Sequence, residues 1–272
     1  MAFELPSSLS PSKVSTFKDC ALAFRFSAID RLPEPPSAPA TKGSLVHRAL
    51  ELLFCAEADD RTPELARHCL DEAILEFATE PDFTGLDLDD AARAAFFADA
   101  AAMVERYFTL EDPRRVSPIG IELKLEVAVG DLRLRGIIDR LELDADGELV
   151  VTDYKTGRVP SENQEMARLG GVHFYAYMCE RLFGKRPAAI QLMYLGPQPQ
   201  IIVARPSEQS TQGLEKKVRA IWSAVERACE REDFRPKPSA LCNWCSFHAY
   251  CPAQGGDLAA LGSTRVELAT SA

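Results

Sequence analysis

Residues 136–157 read Gly-Ile-Ile-Asp-Arg-Leu-Glu-Leu-Asp-Ala-Asp-Gly-Glu-Leu-Val-Val-Thr-Asp-Tyr-Lys-Thr-Gly and hold the side chains best suited to chemistry. Asp153 and Lys155 stand two apart, so a β-strand places both on one face and Tyr154 on the other. Asp144-Ala-Asp-Gly147 is a hairpin signal, because Asp-Gly tolerates the positive φ of a tight turn. Antiparallel pairing through that turn brings Asp139 close to Asp153. Two carboxylates and an ammonium on one sheet face are costly unless something compensates them. A divalent cation is the simplest compensator, and hard cations such as Mg²⁺ take oxygen ligands and keep several waters. A lysine beside such an ion can orient or deprotonate a water, or stabilise charge developing on a phosphate.

Other elements must position these groups. Ile121 to Val129 alternates apolar and polar, with Ile121, Leu123, Leu125, Val127 and Val129 on one face and Glu122, Lys124 and Glu126 on the other. Gly130-Asp131 turns the chain into Leu132–Leu143, which gives a three-stranded meander ending at Lys155. Residues 188–195 and 200–204 read as two more strands. A helix is expected from the capping Ser10 to about Phe26, with Cys20 inside it. Residues 32–39, rich in proline, read as a loop, and a second helix starts at Gly43 and contains His47. Two helical patterns at about 63–79 and 89–109 form an insertion spanning about 58–112. Helices follow at about 161–183 and 208–231. One domain over residues 1–255 with a flexible tail at 256–272 is expected.

The chain of 272 residues is 46% hydrophobic and 26% charged, as in a globular protein with one large core. No apolar run approaches the ~20 residues that span a bilayer. The N-terminus lacks a basic segment followed by an apolar one, so a cytoplasmic protein without membrane contact is expected. The net charge of −10 is concentrated: residues 51–112 carry −13, against +2 before and +1 after. The acidity therefore lies outside the reactive stretch, where a locally basic groove can form.

Eight cysteines occur. Cys55, Cys69, Cys179 and Cys229 are scattered singly and read as small buried apolar residues. Cys242-Asn-Trp-Cys245 with Cys251-Pro252 differs, because three thiolates so spaced form a metal site more often than a disulfide framework in the cytoplasm. His248 can complete a zinc site, or Cys20 a four-thiolate iron–sulfur site.

Gly136-Ile-Ile-Asp-Arg140 followed by Asp153-Tyr-Lys-Thr-Gly157 resembles the core of the PD-(D/E)xK nuclease superfamily, and most closely its RecB-type exonuclease branch. The family-like motifs span about residues 9–252. The resemblance implies an α/β, restriction-endonuclease-like fold, with a mixed β-sheet core flanked by helices. It implies catalysis by Asp139, Asp153 and Lys155. Mg²⁺ or Mn²⁺ would be held by Asp139, Asp153, His47 of the Gly43-x-x-x-His motif and the backbone carbonyl of Tyr154. Glu122 matches an acidic position that the family often has and is rated accessory, with Arg140. The family's Gln-x-x-x-Tyr is matched here to His173 and Tyr177, with histidine in place of glutamine. Iron–sulfur members carry one cysteine in the first helix and three near the C-terminus, an arrangement that Cys20, Cys242, Cys245 and Cys251 fit, so a [4Fe-4S] cluster is implied over Zn²⁺. The expected function is a metal-dependent DNA exonuclease on single-stranded or resected ends, in repair or recombination. A non-catalytic DNA-binding or scaffold subunit is the alternative. Nothing in the sequence senses a 2′-hydroxyl, so RNA stands beside DNA. No Gly-x4-Gly-Lys-Ser/Thr loop is present, so unwinding would fall to a helicase partner. Lys13, Lys18, Arg140 and Arg158 are the candidate phosphate contacts.

Overall fold

The structure, a computed structural model, describes residues 3–160 and 162–261, and for 162–170 the backbone alone. Five strands form one sheet: β1 (Pro118–Val129), β2 (Leu132–Leu143), β3 (Leu149–Lys155), β4 (Ala189–Tyr194) and β5 (Gln200–Ala204), in the spatial order β1-β2-β3-β4-β5. β2 and β3 are antiparallel, β3 and β4 parallel, and β4 and β5 antiparallel. Helices flank this mixed sheet, the architecture expected of a restriction-endonuclease-like fold. The parallel β3–β4 step needs a crossover, and α7 (Glu162–Phe183) supplies it. The β2–β3 turn forms as its sequence predicts: Gly147 has φ +73°, and the Asp144 amide donates to the Glu148 carbonyl at 2.9 Å.

The chain divides into two compact units, one of residues 1–35, 128–135 and 215–272, the other of residues 36–127 and 136–214. In the second unit, α3 (Ala38–Cys55), α4 (Pro63–Phe77), α5 (Pro81–Thr84) and α6 (Asp90–Tyr107) build one core with Tyr154, Met193 and Leu195. The acidic insertion is thus part of the hydrophobic core on one sheet face. Its charges lie on the outer surfaces of helices whose inner surfaces carry Leu50, Leu53, Leu70, Ala100 and Met103.

Several expectations change. The first helix, α1 (Pro11–Asp19), stops where it does because Cys20 is extended (φ −158°, ψ 112°). The chain resumes as α2 (Ala21–Phe24) and a wide turn at Arg25–Ile29. α3 begins at Ala38 rather than Gly43, since Pro39 sits in the first turn, where its missing N–H has no partner to lose. Cys69, Cys179 and Cys229 are buried, but Cys55, the last residue of α3, is exposed. A turn at Leu258–Ala260 leads to buried Leu261, and residues 262–272 of the expected tail lie outside the described residues. Among the described residues, no helix is long and apolar enough to cross a membrane. α8 (Glu208–Arg231) completes the long helices.

Candidate active site

The β2–β3 register pairs Arg140 with Thr152, and one step further sets Asp139 opposite Asp153. Regular pairing ends there. The Asp139 carboxylate accepts the Tyr154 N–H at 2.6 Å, so a side chain takes the place of a ladder bond. Asp139 and Asp153 are both buried, and Lys155 forms an ion pair with Asp153.

α3 brings His47 to the same point. Its Nε2 lies 3.1 Å from the Tyr154 carbonyl. Its Nδ1 faces Asp139 Oδ2 at 3.6 Å and Glu122 Oε1 at 3.9 Å. A proton on Nε2, donated to the carbonyl, leaves the Nδ1 lone pair turned towards two carboxylates. That arrangement is repulsive alone and attractive around a cation. Burial, the largest cause, lowers the His47 pKa and so favours the neutral, ligating imidazole. α3 approaches β3 closely because residue 43 has no side chain; a Cβ there would stand 3.1 Å from Thr156 Oγ1.

Glu122 enters through local backbone strain. It has φ +45° within β1, a conformation that costs a non-glycine residue energy. Two residues before it, Gly120 leaves space for Leu123, since a Cβ there would lie 3.0 Å from Leu123 Cδ2. The simple alternation of β1 is broken at this point, and Glu122 is half-buried beside His47 rather than displayed on an open strand face. Burial, then the Asp139 charge, raises its pKa to about 6. Asp139 is raised to about 7, by burial first and then by Asp153, against the opposing effects of the Tyr154 N–H and Lys155. Among the described residues, His47, Glu122 and Asp139 are the one group of three or more such side chains whose ligand atoms lie within 4.8 Å of one another. Carboxylates whose pKa values are raised by burial and by one another, facing a neutral imidazole, fit a divalent cation by donor type and by charge.

Arg140 is not available to phosphate. It points to the opposite sheet face and is fully buried. It forms an ion pair with Glu111, donates to Tyr154 Oη at 3.0 Å and to Thr152 Oγ1 at 3.2 Å, and places Nε 2.7 Å from Glu142 Oε2. Its guanidinium also lies 4.7 Å from the Phe54 ring centre. A strand that alternates sides must turn Arg140 away from the face that holds Asp139. Replacing Arg140 by alanine strands Glu111 in the interior and should cost about 3–5 kcal/mol, read by denaturant unfolding.

On α7 the side chain near the carboxylates is Tyr175. Burial first, and then the charges of Asp153, Asp139 and Glu122, raise its pKa, and it packs over Gly136, where a Cβ would meet the ring at 3.1 Å. Tyr177 is buried near Arg181, whose guanidinium stands 5.9 Å from its ring centre, and His173 is half-buried. Sequence reading passed over Tyr175 because it follows His173 by two residues rather than four. Arg158 is exposed, and Lys13 donates to the Ser8 carbonyl at 3.2 Å.

In the other unit, Cys20, Cys242, Cys245 and Cys251 line one cavity of about 230 Å³. The Cys245 thiol pKa is raised, by burial first and also by its three companions. His248 turns its Nε2 to the Cys242 carbonyl.

The raised carboxylates predict an unusual pH dependence. A carboxylic acid with its folded pKa above the unfolded one binds protons more tightly in the native state, so native stability falls as pH rises between the two values. For Asp139 that window runs from about 4 to about 7. Metal-free protein should therefore lose about 2–4 kcal/mol of stability across it. Asp139→Asn should flatten the profile, and added Mn²⁺ should restore stability at pH 7; thermal unfolding at several pH values checks both.

A family model of the PD-(D/E)XK nuclease superfamily matches residues 8–252. The Gene 69 protein of Mycobacterium phage D29 is 24% identical over 264 residues, covering 89% of this chain and 96% of that protein. Among solved structures, one provisionally assigned as an exonuclease, from Eubacterium rectale, has a TM-score of 0.53 at 12% identity, covering 88% of this chain and 87% of its own. SSO0001 has a TM-score of 0.45 at 12% identity, covering 92% of this chain and 88% of its own.

Proposed function

The chain belongs to the PD-(D/E)XK nuclease superfamily, and on that premise we propose a Mg²⁺- or Mn²⁺-dependent deoxyribonuclease that digests DNA from ends or single-stranded segments during repair or recombination. One observation carries this reading: His47, Glu122 and Asp139 converge within 4.8 Å beside the Asp153–Lys155 pair. The exonuclease assignment draws on the RecB-type motifs and on the provisional assignment of the Eubacterium rectale protein.

In this reading Asp139, Asp153, Glu122 and the Nδ1 of His47 would hold the ion, with the Tyr154 carbonyl close by. A bound divalent ion supplies charge neutralisation at the scissile phosphate and makes a water more acidic. Lys155 presents its ammonium to that water and to the phosphate oxygens, and Asp153 fixes its position. Tyr175 offers a hydroxyl near the same carboxylates. Arg140 acts from behind the sheet, holding the Tyr154 ring so that its N–H meets Asp139 and its carbonyl meets His47. Cys20, Cys242, Cys245 and Cys251, which line one cavity, would hold a [4Fe-4S] cluster; a helicase would supply unwinding.

End-labelled linear DNA, single- and double-stranded, tests the proposal against closed circles of the same sequence. Linear DNA should shorten progressively with Mg²⁺ or Mn²⁺ and stay intact in EDTA, while circles survive. Equal cutting of circles replaces the exonuclease reading with an endonuclease one. Cleavage in excess EDTA removes the metal mechanism.

A further inference from the structure

Beyond the nuclease site, one cluster of charge lacks a counter-charge. In the unit that holds the cysteine cavity, Lys18 lies in the last turn of α1, Lys217 projects from α8, and Lys237 lies on the segment before Cys242. The Lys237 ammonium donates to the Lys18 carbonyl at 3.0 Å, and burial first, then the charge of Lys18, lowers the Lys217 pKa. All three side chains are exposed, and among the described residues none pairs with a carboxylate. The nearest acidic neighbour in sequence, Asp19, accepts from Ser15 instead, and Glu34 lines the cysteine cavity without pairing to these lysines. Elsewhere surface cations find acids readily, as Arg48 does with Glu51 and Glu76 and Arg219 with Glu215.

An aromatic side chain stands in the same unit. Trp244 is 78% exposed, between Cys242 and Cys245, and lines the cavity that Lys237 also lines. An indole on the surface forfeits the burial that usually holds it. The segment is tied down nonetheless: Ser239 caps the turn at Ala240–Trp244, and the Lys237 N–H donates to the Cys20 thiol at 3.4 Å. An exposed ring that lines one cavity with Lys237, in a unit whose Lys18, Lys217 and Lys237 meet no carboxylate, is the pairing that single-stranded nucleic acid requires, since bases stack on the ring and phosphates meet the cations.

We propose that Trp244, with Lys18, Lys217 and Lys237, forms a binding site for a single DNA strand, separate from the carboxylate site, with Trp244 stacking one base and the lysines meeting the adjacent phosphates. The choice of DNA rests on the nuclease reading above; the stacking and charge argument does not. Strand binding at this site is sequence-tolerant, because every base has a π-face.

Fluorescence anisotropy with a labelled single-stranded oligonucleotide tests it, in Ca²⁺ or EDTA to suppress cleavage. Trp244→Ala should weaken binding about 5- to 100-fold, and Trp244→Phe far less. The same Trp244→Ala change should leave affinity for an abasic strand of equal length unaltered, because no base remains to stack. Lys18→Ala, Lys217→Ala and Lys237→Ala should each lower the salt slope of log affinity by about 0.7, on ordinary and abasic strands alike. Unchanged affinity and slope in all four variants would overturn the site, even where linear DNA is still digested. Equal loss on abasic DNA by Trp244→Ala would show a general disturbance of the segment rather than stacking, and would also overturn it. Quantitative binding by a protein that cuts no DNA keeps this site and removes the nuclease reading instead.

Discussion

Replacement of Asp153 by alanine or of Lys155 by methionine is expected to reduce DNA cleavage by at least about 10²–10³-fold, as does removing one charge-stabilising group from an enzyme site. Asp139→Asn should do the same. The asparagine change is preferred at 139 because that carboxylate also accepts the Tyr154 N–H, and its oxygen can still do so as an amide. Combining the changes should cost little more than the worst single one, because the groups act as a unit. Stability separates this from a structural explanation. Asp139 is held above its ordinary pKa by burial and by Asp153, so its charge is a liability to the metal-free fold at neutral pH. Asp139→Asn should therefore leave metal-free protein at pH 7 as stable as the parent or more so, while activity is lost. Loss of activity accompanied by equal loss of stability would assign Asp139 to the fold rather than to the chemistry. Active-site groups that cost stability when unliganded are what a binding site for a cation requires.

The reactive stretch was legible because a strand imposes strict geometry. Period-two alternation fixed Asp153 and Lys155 on one face, and the Asp-Gly turn fixed the register that sets Asp139 opposite Asp153. The same alternation should have disqualified Arg140 from phosphate contact, since it is adjacent to Asp139 and must face the other way. What misled was charge: an arginine reads as exposed until its buried partners are known, and Glu111 lies far away in sequence. The alternation of β1 puts Glu122 on the right strand but does not show that it turns in beside His47, because nothing about glutamate announces φ +45°. Tyr175 was missed for a related reason. Helix spacing says which residues share a face with one another, whereas only packing, here over Gly136, says which face meets the site. Cys20 was assigned to a continuous helix because no proline or glycine marks the break, although the break is what frees its thiol.

Substituting Cys20 by serine is expected to be as damaging as substituting Cys242, Cys245 or Cys251, and this is the largest stability effect foreseen. The four thiols line one cavity, and His248 turns its Nε2 to the Cys242 carbonyl. A group held by all four joins α1's end to a loop near the C-terminus. In the chain-entropy model a covalent closure that long restricts the unfolded chain by roughly 5 kcal/mol, comparable with a whole domain's ~5–15 kcal/mol. Each of the four substitutions should cut iron and acid-labile sulfide content and lower the unfolding midpoint together. Cys69→Ser, Cys179→Ser and Cys229→Ser should leave iron unchanged, because those side chains are buried away from the cavity, and Cys55→Ser should be silent in both measurements. Zinc reverses the pattern: His248→Ala would then lose the metal and Cys20→Ser would keep it. Anaerobically prepared protein with one equivalent of zinc and neither iron nor sulfide would sink the cluster while leaving Asp139, Asp153 and Lys155 to be judged by cleavage alone.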